Sequence, residues 1–173
     1  MTFALQFEAE RIPYWAQRYD VDGDTKALEA GSRIAWGQYR PDDLRTIFRW
    51  KTGGRGISRL DGNSDPEIAE ALAFATSAKT DRAAVAVLLG LRGVAVPVAS
   101  AILTAIKPSR YAVIDFRALE SLGCKSLDRT IDFYLRYLRF CRSLGEQQNV
   151  DLRTLDRALW QWSEENGTSV DVA

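Results

Sequence analysis

LLGLRGVAVPVASAIL at positions 88–103 and IDFR at positions 114–117 decide the fold of this chain. In the first stretch, apolar residues recur with a helical period on either side of a short interruption that holds Gly93. Pro97 suits the first turn of a helix, because the N–H that proline lacks has no helical partner there. The first stretch therefore predicts two helices joined by a tight turn, and the second places Asp115 at the start of a later helix.

The rest of the chain shows the same helical periodicity, and no segment alternates between apolar and polar residues as a strand does. Lys51–Gly56 breaks the pattern with three glycines and is predicted to be a basic loop. Residues 63–67 and 80–81 carry side chains suited to starting a helix. The predicted helices cover about 7–19, 26–38, 41–51, 65–78, 81–90, 97–107, 116–122, 127–143 and 152–165, with the tight turn at 92–96. We therefore predict an all-α helical bundle, folded as one domain over residues 1–173.

Length and composition exclude several classes of protein. At 173 residues with 46% apolar side chains, the chain is long enough for one substantial core. Its apolar runs are too short to span a membrane, and its N-terminus lacks the pattern of a signal peptide. Two cysteines are too few for a disulfide framework or an iron–sulfur cluster, and the absence of histidine removes imidazole ligands and histidine general bases. We expect a cytoplasmic protein without a metal or cofactor, whose chemistry rests on carboxylates, lysines or hydroxyls.

The formal charge is zero overall but unevenly distributed. The segment Tyr39–Leu60 holds six arginine or lysine residues against two aspartates, whereas acidic residues gather near both ends of the chain. A neutral total argues against indiscriminate binding of polyanions but allows one basic face. The segment is a candidate nucleic-acid interface, and a solvated helix face is the alternative.

Asp115 has a structural and a chemical explanation. Aspartate is among the preferred N-cap residues, and the sequence after it is predicted to be helical. A carboxylate at a helix N-terminus is also kept ionised by the backbone N–H groups, and an ionised carboxylate stabilises a nearby cationic transition state. The two explanations are compatible, and Asp115 is the candidate catalytic residue.

The order of helix, glycine turn, helix and downstream carboxylate resembles the DNA glycosylases of the helix-hairpin-helix superfamily. The resemblance covers about residues 80–122 and implies a bundle with a helix-hairpin-helix DNA-binding motif. In that family, backbone N–H groups of the turn approach a DNA phosphate. The matching residues here are Gly93, Val94, Ala95 and Val96. The family usually has two glycines in this turn with one residue between them, and Ala95 stands in place of the second. Asp115 matches the catalytic aspartate, which stabilises the transition state and orients the attacking water.

Members of the family that also cut the DNA strand carry a nucleophilic lysine near the start of the second hairpin helix. Pro97 occupies the matching position in this chain, and proline cannot form a Schiff base. The resemblance therefore implies a monofunctional enzyme. Such an enzyme hydrolyses the base–sugar bond and leaves an abasic site, without lyase activity.

The resemblance also implies that the target base is flipped out of the duplex into a pocket. Further candidate DNA contacts are Lys51, Arg55, Arg110 and Arg117. Candidate walls of the base pocket are Tyr39, Trp50 and Tyr111. For each of these residues the alternative is a structural role, as a solvated charge or as a core aromatic. Trp160 and Trp162 have the same two explanations, stacking on a ligand or packing within the protein.

The implied partner is double-stranded DNA, bound by a monomer. The substrate base stays open between alkylated or oxidised bases, removed in repair, and bulky modified bases such as glucosylated hydroxymethylcytosine, removed in anti-phage defence. Two other classes of protein also stay open. One is a helix-hairpin-helix module that binds DNA without chemistry, and the other is a helical interaction protein with no nucleic-acid role.

Overall fold

The computed structural model describes residues 3–124 and 128–167. Within these ranges the chain forms helices and no strand, which confirms the predicted all-α class. The helices are α1 Ile12–Arg18, α2 Asp22–Ala35, α3 Pro41–Thr52, α4 Ile57–Leu60, α5 Asp65–Ser77, α6 Asp81–Leu89, α7 Val96–Ile106, α8 Phe116–Glu120, α9 Ile131–Gln148 and α10 Leu152–Asn166, and a short 3-10 helix, Ala9–Arg11, precedes α1. No helix in the described ranges is both long and apolar enough to cross a membrane.

Capping side chains start the helices where the sequence predicts them. The Ser64 hydroxyl accepts the backbone N–H of Glu67, whose carboxylate in turn accepts the backbone N–H of Ser64. Thr80 caps α6 by accepting the Ala83 N–H at 3.2 Å. These local hydrogen bonds satisfy N–H groups that the first helical turn leaves without a partner.

Several helix bounds differ from the prediction. Pro13 lies in the first turn of α1, so the helix begins at Ile12 and not at residue 7. α3 extends through Lys51 to Thr52, because the left-handed residue that ends it is Gly53, with φ of 62°. The short helix α4 was not predicted, because four residues do not define a helical period. The prediction that a helix starts at residue 127 falls outside the described residues.

The second hairpin helix, α7, lies at the centre of the bundle. Nearly all its residues are buried, and α2, α3 and α6 pack around it. Gly31 of α2 approaches α7 so closely that a Cβ there would lie 2.0 Å from the Ala105 carbonyl oxygen. The last helix, α10, packs against α1, α8 and α9. The fold thus places α8, which Asp115 starts, against α10.

Candidate active site

A buried segment at 111–114 leads from α7 to Asp115, and its carbonyl groups are bound by side chains. The Tyr134 hydroxyl donates to the Ala112 carbonyl at 3.1 Å, and the Tyr137 hydroxyl donates to the Val113 carbonyl at 2.7 Å. Burial raises the pKa of both tyrosines well above the ordinary value, so both hydroxyls keep their protons. α9 therefore fixes one side of the segment.

The N–H groups of the same segment are also bound by side chains. Asp156 of α10 accepts the Val113 N–H at 3.2 Å. Ser100 of α7 accepts the Ile114 N–H at 3.1 Å. A buried backbone group without a partner costs free energy, so these contacts specify the path of a segment that has no regular hydrogen bonding of its own. Asp115 follows directly, so its backbone is held in place as well.

Asp115 caps α8 and binds a lysine at the same time. One carboxylate oxygen accepts the Ala118 N–H at 2.9 Å, which confirms the prediction that Asp115 starts a helix. The other oxygen accepts a hydrogen bond from Lys51 Nζ at 2.7 Å. The two side chains retain 12% (Lys51) and 18% (Asp115) of their exposure, so the pair is partly buried but still reachable.

The pKa of the Asp115 carboxyl lies below its ordinary value. Burial alone would raise this pKa, but the charge of Lys51 and the hydrogen bonds from Ala118 and Lys51 outweigh it, with a further contribution from the charge of Arg117. Asp115 is therefore ionised at neutral pH.

Lys51 lies in the last turn of α3, as the predicted helix over 41–51 has it, and the predicted basic loop begins only after Thr52. Leu44, Ile47 and Phe48 bury the inner face of α3, and this packing directs the end of the helix toward Asp115. Since Lys51 and Asp115 are 64 positions apart, local sequence pattern gives no sign of their contact. The contact places the end of α3, in the middle of the basic segment, beside the candidate catalytic carboxylate.

Asp115 and Lys51 both line a cleft of about 540 Å³. Aromatic side chains from three separate elements form part of its wall. These are Tyr19, Trp50 and Trp160. The remaining lining residues are Arg18, Asp20, Gly23, Val113, Ala118, Arg153, Asp156, Gln161 and Glu164. The cleft combines flat apolar surfaces with polar groups, as ligand-binding sites commonly do.

A buried arginine joins the aromatic wall to the acidic groups beneath it. The guanidinium of Arg153 lies 5.5 Å from the ring centres of both Tyr19 and Trp50. It forms ion pairs with Asp24 of α2 and with Asp156 on its own helix. Arginine suits this place, because its flat guanidinium stacks on aromatic rings and binds carboxylates at its edges. Arg153 thus holds the two rings at the cleft in fixed positions.

Asp156 is another of the acidic residues that line the cleft, and its environment shifts its pKa in the direction opposite to that of Asp115. Burial raises its pKa to about 6, despite the opposing charge of Arg153, and the negative charge of Asp115 adds to the rise. The cleft therefore contains one carboxyl group with a lowered pKa and one with a raised pKa. Separation of this kind is typical of sites that use carboxyl groups chemically, although ion-pair networks also produce it.

The turn between α6 and α7 packs against the short helix α4. Gly93 has φ of 83°, a conformation that favours glycine. A Cβ at Gly93 would lie 3.0 Å from the Leu60 backbone nitrogen and 3.2 Å from the Arg59 Cβ. Both the conformation and the close approach therefore require glycine at this position.

Asn63 clamps the turn from the side. Its amide group donates to the Leu60 and Arg92 carbonyls at 2.7 and 3.1 Å, and its oxygen accepts the Arg92 N–H at 2.9 Å. The N–H of Val94 is bound within the turn by the Leu91 carbonyl. In the described part of the chain, four N–H groups at the turn and in the first turn of α7 meet no acceptor. These belong to Gly93, Ala95, Val96 and Val98.

The predicted basic contacts fall into different environments. Arg55 is exposed in the turn after α3. Arg117 lies near the cleft, where it pairs with Glu164 and stacks over Trp160 at 4.9 Å. Arg110 pairs with Asp81 at the start of α6, at the opposite end of that helix from the turn. The geometry therefore supports Arg55 and Arg117 as candidates more than Arg110.

Of the predicted aromatic walls, only Trp50 lies in the cleft. Tyr111 is buried in the core beneath Arg110, and Tyr39 is half-buried against the core, so neither lines the cleft. Trp160 does line it, whereas Trp162 stacks on Phe7 at 5.7 Å between ring centres.

Sequence reasoning missed several residues of the cleft, namely Tyr19, Arg153 and Asp156, together with the pairing of Lys51. The aspartate and arginine of α10 sit three positions apart, a spacing typical of a helical ion pair, and this signal alone does not point to a cleft. No cluster of three or more potential metal-binding acidic or cysteine side chains occurs within residues 3–124 and 128–167. Comparison with models of protein families, with curated proteins and with solved structures finds no match to this chain.

Proposed function

We propose that this protein is a DNA glycosylase, which flips a modified or damaged base into the cleft and hydrolyses its N-glycosidic bond. The observation that carries the proposal is the position of Asp115. Its carboxylate is ionised, caps the N-terminus of α8, and is open to a cleft with aromatic walls. The resemblance of the hairpin and its downstream aspartate to helix-hairpin-helix glycosylases supports the same reaction.

The chemistry follows from the charge of Asp115. Cleavage of a base–sugar bond passes through a transition state with positive charge on the sugar. A fixed carboxylate next to that sugar lowers the barrier, because its charge need not be reorganised during the reaction. Asp115 also accepts a proton from the attacking water, which then adds to C1′ as the base departs.

The cleft suits a flat ligand. An extruded base can stack on the aromatic side chains of the cleft, which are Trp50, Tyr19 and Trp160. The cleft volume of about 540 Å³ falls in the usual range for small-molecule sites. Asp20, Gln161 and Glu164 add hydrogen-bonding groups at the lining. These groups are suited to recognising the edge or the substituents of a modified base.

The surface between the hairpin and the end of α3 is the proposed contact with DNA. The unpartnered N–H groups of the turn are suited to a phosphate oxygen. Arg59 packs against Gly93, and Arg55 is exposed nearby in sequence. This local positive charge makes DNA binding compatible with a net charge of zero.

One observation favours a second function, that of a DNA-binding module without chemistry. Both oxygens of Asp115 are already engaged, one by Ala118 and one by Lys51. A purely structural N-cap paired with a lysine would have the same contacts. The two proposals differ in whether Asp115 is needed for a reaction.

The test compares the wild type with Asp115→Asn on duplexes that carry an alkylated, deaminated, oxidised or glucosylated hydroxymethylated base. Asparagine also caps helices well, so the variant should fold and bind DNA. Abasic sites are detected by alkaline cleavage. Excision by the wild type and its loss in the variant would support the glycosylase, and the base excised would separate a repair enzyme from an anti-phage enzyme.

Asp151→Asn is the matched control. Asp151 caps α10 by accepting the Thr154 N–H at 2.8 Å, and it does not line the cleft. This control should excise the base as the wild type does. DNA binding by all three proteins with no product on any duplex would instead support the non-catalytic module.

A further inference from the structure

The carboxylate that the proposed reaction needs is paired with a lysine. Lys51 Nζ lies 2.7 Å from one oxygen of Asp115, and the Ala118 N–H binds the other oxygen. A sugar that gains positive charge beside this carboxylate would also lie close to the ammonium group, and like charges repel. Electrostatic stabilisation is usually the largest contribution that a fixed group makes to such a reaction. The ion pair therefore opposes the reaction in which Asp115 is proposed to act.

The ion pair is of a kind that changes partners readily. Lys51 binds Asp115 through one hydrogen bond, whereas Arg18 binds Glu165 through two guanidinium nitrogens at 2.7 and 2.9 Å. An ammonium group is a point charge on a flexible stem of four carbons, so it turns to another acceptor without a change in the backbone. Both members of the pair line the cleft, so an anion that enters the cleft reaches Lys51.

Other groups favour both charges after the pair separates. The Ala118 N–H and the charge of Arg117 lower the pKa of Asp115 independently of Lys51. Lys51 lies in the last turn of α3, where the carbonyl groups at the end of the helix favour positive charge. Separation of the pair therefore leaves neither charge without a stabilising neighbour.

We propose that a phosphate of the bound nucleotide binds Lys51 in place of Asp115, so that the catalytic carboxylate becomes free only when DNA fills the cleft. The phosphates of a nucleotide are attached to the sugar that would lie at Asp115, which brings them near the same lysine. This proposal rests on the proposed function and adds a regulatory role for Lys51, because the lysine masks Asp115 until substrate arrives.

The test is a salt titration of DNA binding with a duplex that carries one tetrahydrofuran residue. This analogue keeps the sugar ring and both phosphates but has no base, so it occupies the cleft without reacting. Each phosphate that a cation neutralises contributes about 0.9 to the slope of log K against log salt concentration. Lys51→Met should therefore reduce the slope by about 1 on this duplex. On an undamaged duplex of the same sequence, where no nucleotide enters the cleft, the slope should not change.

Asp115→Asn gives a second readout. Asparagine still caps α8 but does not hold Lys51 by charge, so the tetrahydrofuran duplex should bind about threefold to fivefold more tightly, as expected when a partly exposed ion pair need not be broken. In a double-mutant cycle this gain should disappear when residue 51 is already methionine. A carboxylate that only repels DNA would give the same gain in both backgrounds.

Two controls remove the same charges elsewhere. Lys79→Met removes an exposed lysine just before α6, at the end of that helix away from the turn. Asp151→Asn removes the carboxylate that caps α10 outside the cleft. Both variants should keep the slope and the affinity of the wild type.

Three results would overturn the exchange. These are an unchanged slope in Lys51→Met, an equal reduction on both duplexes, and an equal gain from Asp115→Asn in both backgrounds. Base excision by a wild type that gives any of these results would leave the proposed glycosylase standing without the exchange. Failure of the wild type to bind either duplex would refute the exchange and the proposed function together.

Discussion

Removal of the Ser100 hydroxyl should both destabilise the fold and loosen the candidate catalytic residue. Ser100 is fully buried on α7, and its oxygen accepts the Ile114 N–H at 3.1 Å. Ser100→Ala removes one atom and creates almost no cavity, so its main effect is to leave the Ile114 N–H without a partner. Ile114 directly precedes Asp115, so this hydrogen bond ties the backbone next to the site directly to the core helix.

The expected loss is about 1–3 kcal/mol of unfolding free energy, the cost of leaving one buried N–H unsatisfied. For a chain of this length each kcal/mol lowers Tm by roughly 2–4 °C. Activity should fall by more than the loss of folded protein accounts for, because a displacement of about 1 Å at a reacting group can reduce the rate by about 100-fold.

Thr104→Val is a matched control on the same helix. Thr104 is also fully buried, and its hydroxyl has no hydrogen-bond partner in the structure as described. Valine has nearly the same shape and no polar atom, so the exchange should leave stability unchanged or raise it. Urea unfolding of both variants, with base excision measured alongside, makes the comparison. Equal stability of Ser100→Ala and wild type would refute the account of how the 111–114 segment is held.

Three further predictions concern the hairpin and the cleft. Gly93→Ala should cost about 1–2 kcal/mol from its positive φ alone and weaken DNA binding in a salt titration, since a Cβ would press on Leu60; unchanged affinity would exclude the turn as a DNA contact. Asn63→Asp should lower the unfolding free energy by about 1–3 kcal/mol in urea, because the carboxylate would face two carbonyl groups where the amide now donates. Burial raises the pKa of Asp156 to about 6, so its proton is bound more tightly in the folded than in the unfolded chain. The contribution of Asp156 to the unfolding free energy is therefore greatest at low pH and is lost as the pH rises through 6. The unfolding free energy should therefore fall by about 2 kcal/mol more between pH 4.5 and 7.5 in wild type than in Asp156→Asn. Parallel pH profiles of the two proteins would show that folding does not raise the pKa of Asp156.

The sequence predicts the parts of this fold that local rules control. Ser64 and Thr80 mark helix starts, because their hydroxyls cap within three residues. Asp115 is identified in the same way. The bounds of α3 were predicted to within one residue, because the run of glycines marks its end, and the positive φ of Gly53 stops the helix after Thr52.

The site was less predictable, because its contacts join distant parts of the chain. Trp50, a predicted pocket wall, does line the cleft, but the neighbouring Tyr19 and Arg153 come from opposite ends of the sequence. Tyr111 was chosen for its closeness to Asp115 in sequence, and it faces the core instead. Which face of a helix or segment lines a cavity is decided by tertiary packing, and periodicity alone does not contain that information.

The side chains that hold residues 111–114 also determine when, during folding, the position of Asp115 becomes fixed relative to the hairpin. The hairpin is clamped by Asn63, which precedes it by about thirty residues, whereas the path to Asp115 requires Tyr137 and Asp156 from the last two helices. Contacts between distant residues form late, because closing long loops costs entropy. During synthesis we therefore expect the hairpin to be in place before the carboxylate has a fixed position. Under the proposed function, a nascent chain would recognise DNA through the hairpin before it could act on DNA, and packing of α10 onto the bundle would complete the site.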